Sequence, residues 1–177
     1  MKHRIILTGS QGTGKTTILN HYKEQGMNVI TEIVRNLAKT GVKINEMGDE
    51  EGQNIIFSEY ERLLNDKNEY MSDRGLTDVA AYTLYHVNQK KISVDVIQDE
   101  LKRIREFFEK NPDVIVCYFP IEFLVVDDGV RSTDEHFRDI IDRNIKFILD
   151  GLNIPYTTIT GTVEERIKQI DNILKNK

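Results

Sequence analysis

Three features of the sequence predict a three-layer α/β fold: a five-stranded parallel sheet with helices on both faces. First, short apolar runs of strand length alternate with longer segments whose apolar residues recur three and four apart, the rhythm of strand–helix–strand units. Second, Asp113-Val114-Ile115-Val116-Cys117-Tyr118-Phe119 is apolar almost without interruption, the mark of a central strand covered on both sides. Third, the strand-like run His3 to Thr8 passes through a glycine-rich turn straight into a helical pattern.

The elements follow in order. Lys15 to Gln25 reads as the first helix, ended by Gly26. Asn28 to Thr31 is the second strand, and Glu32 to about Lys39 a short helix. After the loop Gly41–Gly48, Asp49 caps a helix with Ile56, Tyr60, Leu63 and Leu64 on its inner face. Glu69 to Asp73 is a third strand, and Arg74-Gly75 turns the chain into a helix capped by Thr77 or Asp78 that runs to about Gln89. Ser93 caps the next helix, whose stripe is Val94, Ile97, Leu101, Ile104 and Phe108. Beyond the fourth strand, Pro120 opens a loop to about residue 132, and Ser132 with Glu135 forms a capping box for a helix carrying Phe137, Ile141, Ile145, Ile148 and Leu152. Ile154 to Thr160 is the last strand, with Pro155 suited to a sheet edge. Thr162 with Glu165 opens the final helix.

The chain has 177 residues, which suits a single domain spanning 1–177 with one core. Its 24 lysines and arginines against 29 aspartates and glutamates leave a net charge of −5, which argues against nucleic acid as a partner. Cys117 is the sole cysteine and lies in the most apolar strand, so it reads as a core residue and no internal disulfide can form. No stretch is apolar over the length needed to span a bilayer and no signal-peptide pattern opens the chain, so the cytoplasm is the expected location.

The chemistry sits in the first turn. Gly9-Ser10-Gln11-Gly12-Thr13-Gly14-Lys15-Thr16 fits G-x-x-x-x-G-K-[ST], the phosphate-binding P-loop. Its glycines let successive amides turn inward around phosphate oxygens, and the helix behind it adds a partial positive charge. Lys15 would reach the β- and γ-phosphates, and the Thr16 hydroxyl would serve Mg²⁺. Ligands of parallel α/β sheets bind beyond the carboxyl ends of the strands. That rule selects Glu32 after strand two, Asp73 and Arg74 after strand three, the Pro120–Arg131 loop after strand four, and Thr160-Gly161-Thr162 after strand five. Asp73 and Glu32 are rival carboxylates for orienting an acceptor hydroxyl, and Asp73 is also a candidate for Mg²⁺. Arg74 and Arg131 are candidate cations for the charge that develops in phosphoryl transfer, and Arg35, one helical turn past Glu32, is a candidate acceptor contact.

Several of these segments resemble known kinases. Asp73-Arg74 followed by Ala81-Tyr82-Thr83 resembles the Asp-Arg…Ala-Tyr-Gln segment of thymidylate kinases, with Thr83 in place of Gln and Gly75 where an aromatic residue or His is common. Val125-Val126-Asp127-Asp128-Gly129-Val130-Arg131, with Val163-Glu164-Glu165-Arg166, is similar to the small NadR-type ATPase/kinase group, which includes ribosylnicotinamide kinases. The resemblance to P-loop nucleoside and nucleotide kinases covers nearly the whole chain. It implies the P-loop NTPase strand order 2-3-1-4-5, substrate-binding helices at about 32–66 and 77–111, and a lid loop at about 120–132. It also implies Glu32, Arg35, Asp73 and Arg74 at the acceptor, and Thr160 to Thr162 near adenine.

The expected activity is ATP- and Mg²⁺-dependent transfer of a phosphoryl group to a nucleoside hydroxyl, carried by Lys15, Asp73, Glu32, Arg74 and Arg131. ATP is expected to lie against Gly9, Gln11, Gly12, Thr13, Gly14, Lys15, Thr16, Thr17, Thr160 and Thr162, with the metal near Thr16 and Asp73. A carboxylate at Glu32 suits a hydroxyl that must lose a proton and repels an acceptor that already carries phosphate. The alternatives are a nucleoside monophosphate (thymidylate-like) kinase, favoured by Arg35 and Arg74, and a P-loop ATPase that switches a protein partner. No Asn-Lys-x-Asp base-reading motif of GTPases is present, and the length leaves little room for the second helical domain of an AAA-type motor. A homodimer is compatible with the sequence.

Overall fold

A computed structural model of the chain describes residues 3–122 and 134–176. The five strands are β1 (Arg4–Thr8), β2 (Val29–Ile30), β3 (Tyr70–Asp73), β4 (Ile115–Tyr118) and β5 (Thr157–Thr158). The helices are α1 (Lys15–Glu24), α2 (Ile33–Lys39), α3 (Glu50–Asp66), α4 (Leu76–Asn88), α5 (Val94–Lys110), α6 (Glu135–Gly151) and α7 (Val163–Lys175), with a 3-10 turn at Asn45–Met47. All strand pairs are parallel and the order is β2-β3-β1-β4-β5, as the resemblance implied.

The period-two alternation of strand side chains divides the core in two. Ile6, Tyr70, Val116 and Tyr118 pack with α3, α4, α5 and α6 on one face. Ile5, Leu7, Met71, Ile115, Cys117 and Phe119 pack with Ile18 and Leu19 of α1 and Ile170 of α7 on the other. The apolar run around β4 is buried throughout because both faces claim its side chains. Cys117 is a buried free thiol, as expected of a small core residue.

Both sheet edges are short. β2 and β5 hold two residues each, against the longer runs read from the sequence. The register levels the carboxyl ends: Leu7 pairs with Asp73, Thr8 with Tyr118, and Tyr118 with Thr158. The turns that follow these strands therefore open on one rim.

Asp49, Ser93 and Thr162 cap their helices as expected, and Thr162 with Glu165 completes a capping box. Three local expectations are corrected. α4 begins at Leu76, not after a cap at Thr77 or Asp78; Gly75 is the cap position, and the Asp78 carboxylate reaches back to accept its N–H at 2.9 Å. α6 is capped by Asp134, which accepts the N–H groups of His136 and Phe137, while Ser132 lies outside the described residues. On α5 the buried stripe is Ile97, Ile104 and Phe107; Val94, in the first turn, is 53% exposed, and Phe108 is only partly buried.

The α4–α5 contact encloses a carboxyl group. Glu100 is buried, and one of its oxygens accepts the Thr83 hydroxyl at 3.0 Å. The other has no hydrogen-bond partner among the described residues. Burial pushes this carboxyl up to about 8, with Thr83 and Arg103 pulling only partly the other way. The native state thus keeps a proton that the unfolded chain releases near its ordinary value of about 4.3. Stability should fall as pH rises from about 4.5 to about 8, with the full loss present above that window. Glu100→Gln removes the ionisation. Its urea stability relative to the parent is expected to improve across the same window, by on the order of 1–3 kcal/mol. A pH-independent difference would assign the slope elsewhere.

Candidate functional site

The turn after β1 holds its shape through three glycines at positive φ: Gly9 at 137°, Gly12 at 69° and Gly14 at 87°. At Gly9 the constraint is also one of space, because a Cβ there would stand 2.3 Å from the carbonyl oxygen of Phe119. Gly14 caps α1 without a side-chain bond, which leaves the first-turn amides of that helix facing the loop. Lys15 is buried and folds its ammonium over the loop, donating to the carbonyls of Gly9 and Ser10 at 2.7 Å and to the Thr13 hydroxyl at 3.1 Å. A cavity of about 100 Å³ is lined by Gln11, Gly12, Thr13, Gly14, Lys15, Thr16 and Thr17, with Asp73 and Arg74 across from them.

Sheet register brings Asp73 to this loop. Thr16 Oγ1 lies 3.3 Å from Asp73 Oδ2, in hydrogen-bond reach. Asp73 Oδ1 is buried with no hydrogen-bond partner among the described residues. The Asp73 carbonyl accepts the hydroxyl of Tyr60 from α3 at 3.1 Å. Arg74 takes a left-handed backbone conformation, φ 76°, in which its N–H bonds the Leu7 carbonyl and its guanidinium donates to the Tyr82 hydroxyl at 2.9 Å. Asp78 is fully buried between the two turns. One oxygen accepts the Gly9 N–H at 3.2 Å and the other the Gly75 N–H. Burial raises its carboxyl above the usual carboxylate range, and Arg74 and Lys15 oppose that shift.

Beyond Asp73 lies a second cavity, of about 130 Å³, that runs from Gln11 and Thr16 to α2 and α3. Glu32 and Arg35 stand in its wall with Gln53, Tyr60, Asp78, Val79 and Tyr82. Glu32 also sits at positive φ, 62°, where β2 breaks into α2, and pairs with Arg35 at 3.4 Å. With side chains 47% and 37% exposed, that pair adds little to stability.

The structure thus gathers Lys15, Thr16, Asp73, Arg74, Glu32 and Arg35 around two adjoining cavities. Thr17 is exposed on α1, at the edge of the first. Thr160 and Thr162 lie apart from both. Their loop borders the P-loop through Arg166, and the Thr162 hydroxyl is occupied as a helix cap. Arg131 falls outside the described residues. Gln53, Tyr60 and Asp78 also border the larger cavity, and neither a motif nor a strand end marks them in the sequence. From the sequence, Tyr60 reads as part of the core stripe of α3 and Asp78 as a cap. The available signal was Gln53, a polar residue three positions before Ile56 and seven before Tyr60 on the buried face of that helix.

Comparison with solved structures finds the same fold at low sequence identity. A deoxyadenosine kinase from M. mycoides, solved with its products dCMP and dCDP, superposes with a TM-score of 0.64 at 16% identity over 98% of both chains. NadR protein in complex with NR gives 0.74 at 14% identity over 98% of this chain, and NadR with NAD and AMP-PNP gives 0.69 at 11%. The chain spans about half the length of those NadR chains, 51% and 49%. Comparison with curated proteins gives no match. The sequence profile of a family described as an AAA domain matches residues 4–166. With its P-loop, its five parallel strands in the order 2-3-1-4-5 and that match along most of its length, the chain belongs to this AAA-domain family and has the P-loop kinase fold.

Proposed function

We propose that the protein transfers the γ-phosphoryl group of ATP, with Mg²⁺, to a hydroxyl of a nucleoside. The observation that carries this reading is the continuity of the two cavities: Gln11, Thr16, Asp73 and Arg74 border both, so an acceptor in the larger would abut a triphosphate in the smaller. The larger cavity has the make-up of a small-molecule site, with apolar and aromatic walls from Ile33, Ile56, Val79 and Tyr82 and a few polar groups, Glu32, Arg35 and Gln53. The bound nucleotides and nucleosides of the structurally similar kinase and NadR proteins support the same substrate class.

In the proposed reaction the P-loop amides and Lys15 hold the phosphates. Thr16 and the unpartnered oxygen of Asp73 form a hard oxygen donor set that fits Mg²⁺ completed by phosphate and water. Bound there, the ion would neutralise charge on the β- and γ-oxygens. The acceptor oxygen gives its proton to a carboxylate, Glu32 or Asp73, and bonds to the γ-phosphorus as the bond to the bridging oxygen breaks, leaving ADP. Arg74, which lines both cavities, offsets the charge that moves. Arg131 remains a candidate for the same task, and Thr160 and Thr162 for the adenine side. A nucleoside is favoured over a monophosphate because the Glu32 carboxylate in the wall of the larger cavity suits a hydroxyl that must lose a proton and repels an acceptor that already carries phosphate. The family's description as an AAA domain supports a rival reading, a nucleotide-driven switch with a protein partner.

³¹P NMR of mixtures with ATP, Mg²⁺ and either nucleosides or monophosphates separates these readings. Nucleosides alone are expected to gain phosphate; consumption of monophosphates alone would reject the nucleoside reading, and hydrolysis indifferent to every acceptor would favour the switch. Lys15→Ala is expected to lower turnover by about 10²–10³-fold or more, while circular dichroism reports an intact fold. Asp73→Asn should lower turnover by roughly 10²-fold and leave ATP affinity less changed; normal turnover would remove Asp73 from the mechanism.

A further inference from the structure

Two arginines that no step above requires are the largest fully buried side chains among the described residues: Arg138 of α6, 0% exposed, and Arg166 of α7, 2% exposed. Both direct their guanidinium groups at the backbone of the P-loop. Arg138 Nε donates to the Gln11 carbonyl at 2.9 Å and a terminal nitrogen to the Gly12 carbonyl at 3.3 Å. Arg166 donates to the Thr13 carbonyl at 2.6 Å and to the Gly161 carbonyl at 2.9 Å. Each charge is balanced at the same place, Arg138 by Glu135 at 3.0 Å and Arg166 by Glu122. The grip on the loop is mutual, since Ser10 Oγ donates to the Arg138 carbonyl at 2.9 Å.

The consequence follows from peptide geometry. In a trans peptide the carbonyl of one residue and the N–H of the next point in opposite directions. Guanidinium groups that draw the carbonyls of Gln11, Gly12 and Thr13 outward therefore aim the N–H groups of Gly12, Thr13 and Gly14 the other way, toward the cavity those residues line. Two positive-φ glycines leave this stretch soft, so a free loop would sample other orientations. A guanidinium suits the task because its planar fork can hold two acceptors at fixed angles and keeps its charge when buried.

We infer that Arg138 and Arg166 are positioning residues that preset the phosphate cradle by holding three consecutive P-loop carbonyls, so that the amides are oriented before a triphosphate arrives. This inference rests on the reading of the loop as a nucleotide site. The nearer alternative is that the two arginines only fasten α6 and α7 to the sheet.

The test uses the full chain with calorimetric titration of inorganic tripolyphosphate and of ATP with Mg²⁺, against Arg138→Met and Arg166→Met. Arg138→Lys and Arg166→Lys, which keep charge and most of the volume, stand in if the methionine variants fail to fold. Each variant is expected to lose about tenfold in affinity for tripolyphosphate and ATP, the scale of a charge-assisted hydrogen bond. Faster hydrogen exchange at Gly12, Thr13 and Gly14 should accompany that loss, with the KM of the acceptor unchanged. Ethylguanidinium added to Arg138→Gly should restore part of the tripolyphosphate affinity, an effect that simple fastening does not give. Folded variants that bind tripolyphosphate as tightly as the parent would overturn the positioning role alone. A parent chain that binds neither probe would overturn the nucleotide reading and this inference with it.

Discussion

A single buried carboxylate joins the two turns on which the site is built. Asp78 accepts one N–H from Gly9, at the start of the P-loop, and one from Gly75, at the start of α4. Both glycines are buried, and an unpartnered buried amide is costly. The interaction therefore fixes the spacing between the phosphate loop and the Asp73-Arg74 turn, and the level strand ends of β1 and β3 fix their height. Arg74 and Lys15 temper the burial of that carboxylate, so electrostatics and geometry pull the same two turns together.

The fold was largely legible in the sequence because its signals are local. Strand-length apolar runs, helical periodicity and capping residues announced most elements, and the glycine-rich loop announced where the candidate site lies. What local signals missed, they missed for a reason. The edge strands are shorter than their apolar runs, because pairing depends on a neighbour that the run itself does not specify. The start of α4 differs from the sequence expectation because Asp78 reaches backward to a glycine instead of capping forward. Phe107 and Phe108 are adjacent, and only the packing against neighbouring helices decides which turns inward.

The site was half legible. Residues at strand ends were found by the topological rule, since it needs only the element order. Gln53 and Tyr60 come from the middle of α3 and reach the cavity across the fold, and no motif in their own neighbourhood marks them. Arg138 and Arg166 are harder still. Each sits on an amphipathic helix where an arginine reads as solvated, and only the tertiary structure turns it onto the P-loop backbone.

The brevity of β2 and β5 has a consequence for the life of the protein among other chains. Each outer margin of the sheet offers two residues of ladder, and on one side Pro155 stands just ahead of them with no N–H to give. An intruding strand would gain few bonds at either border, too few to offset the ordering it must undergo. A parallel core of this kind, rich in isoleucine, is thereby poorly suited to recruit copies of itself into a growing ribbon.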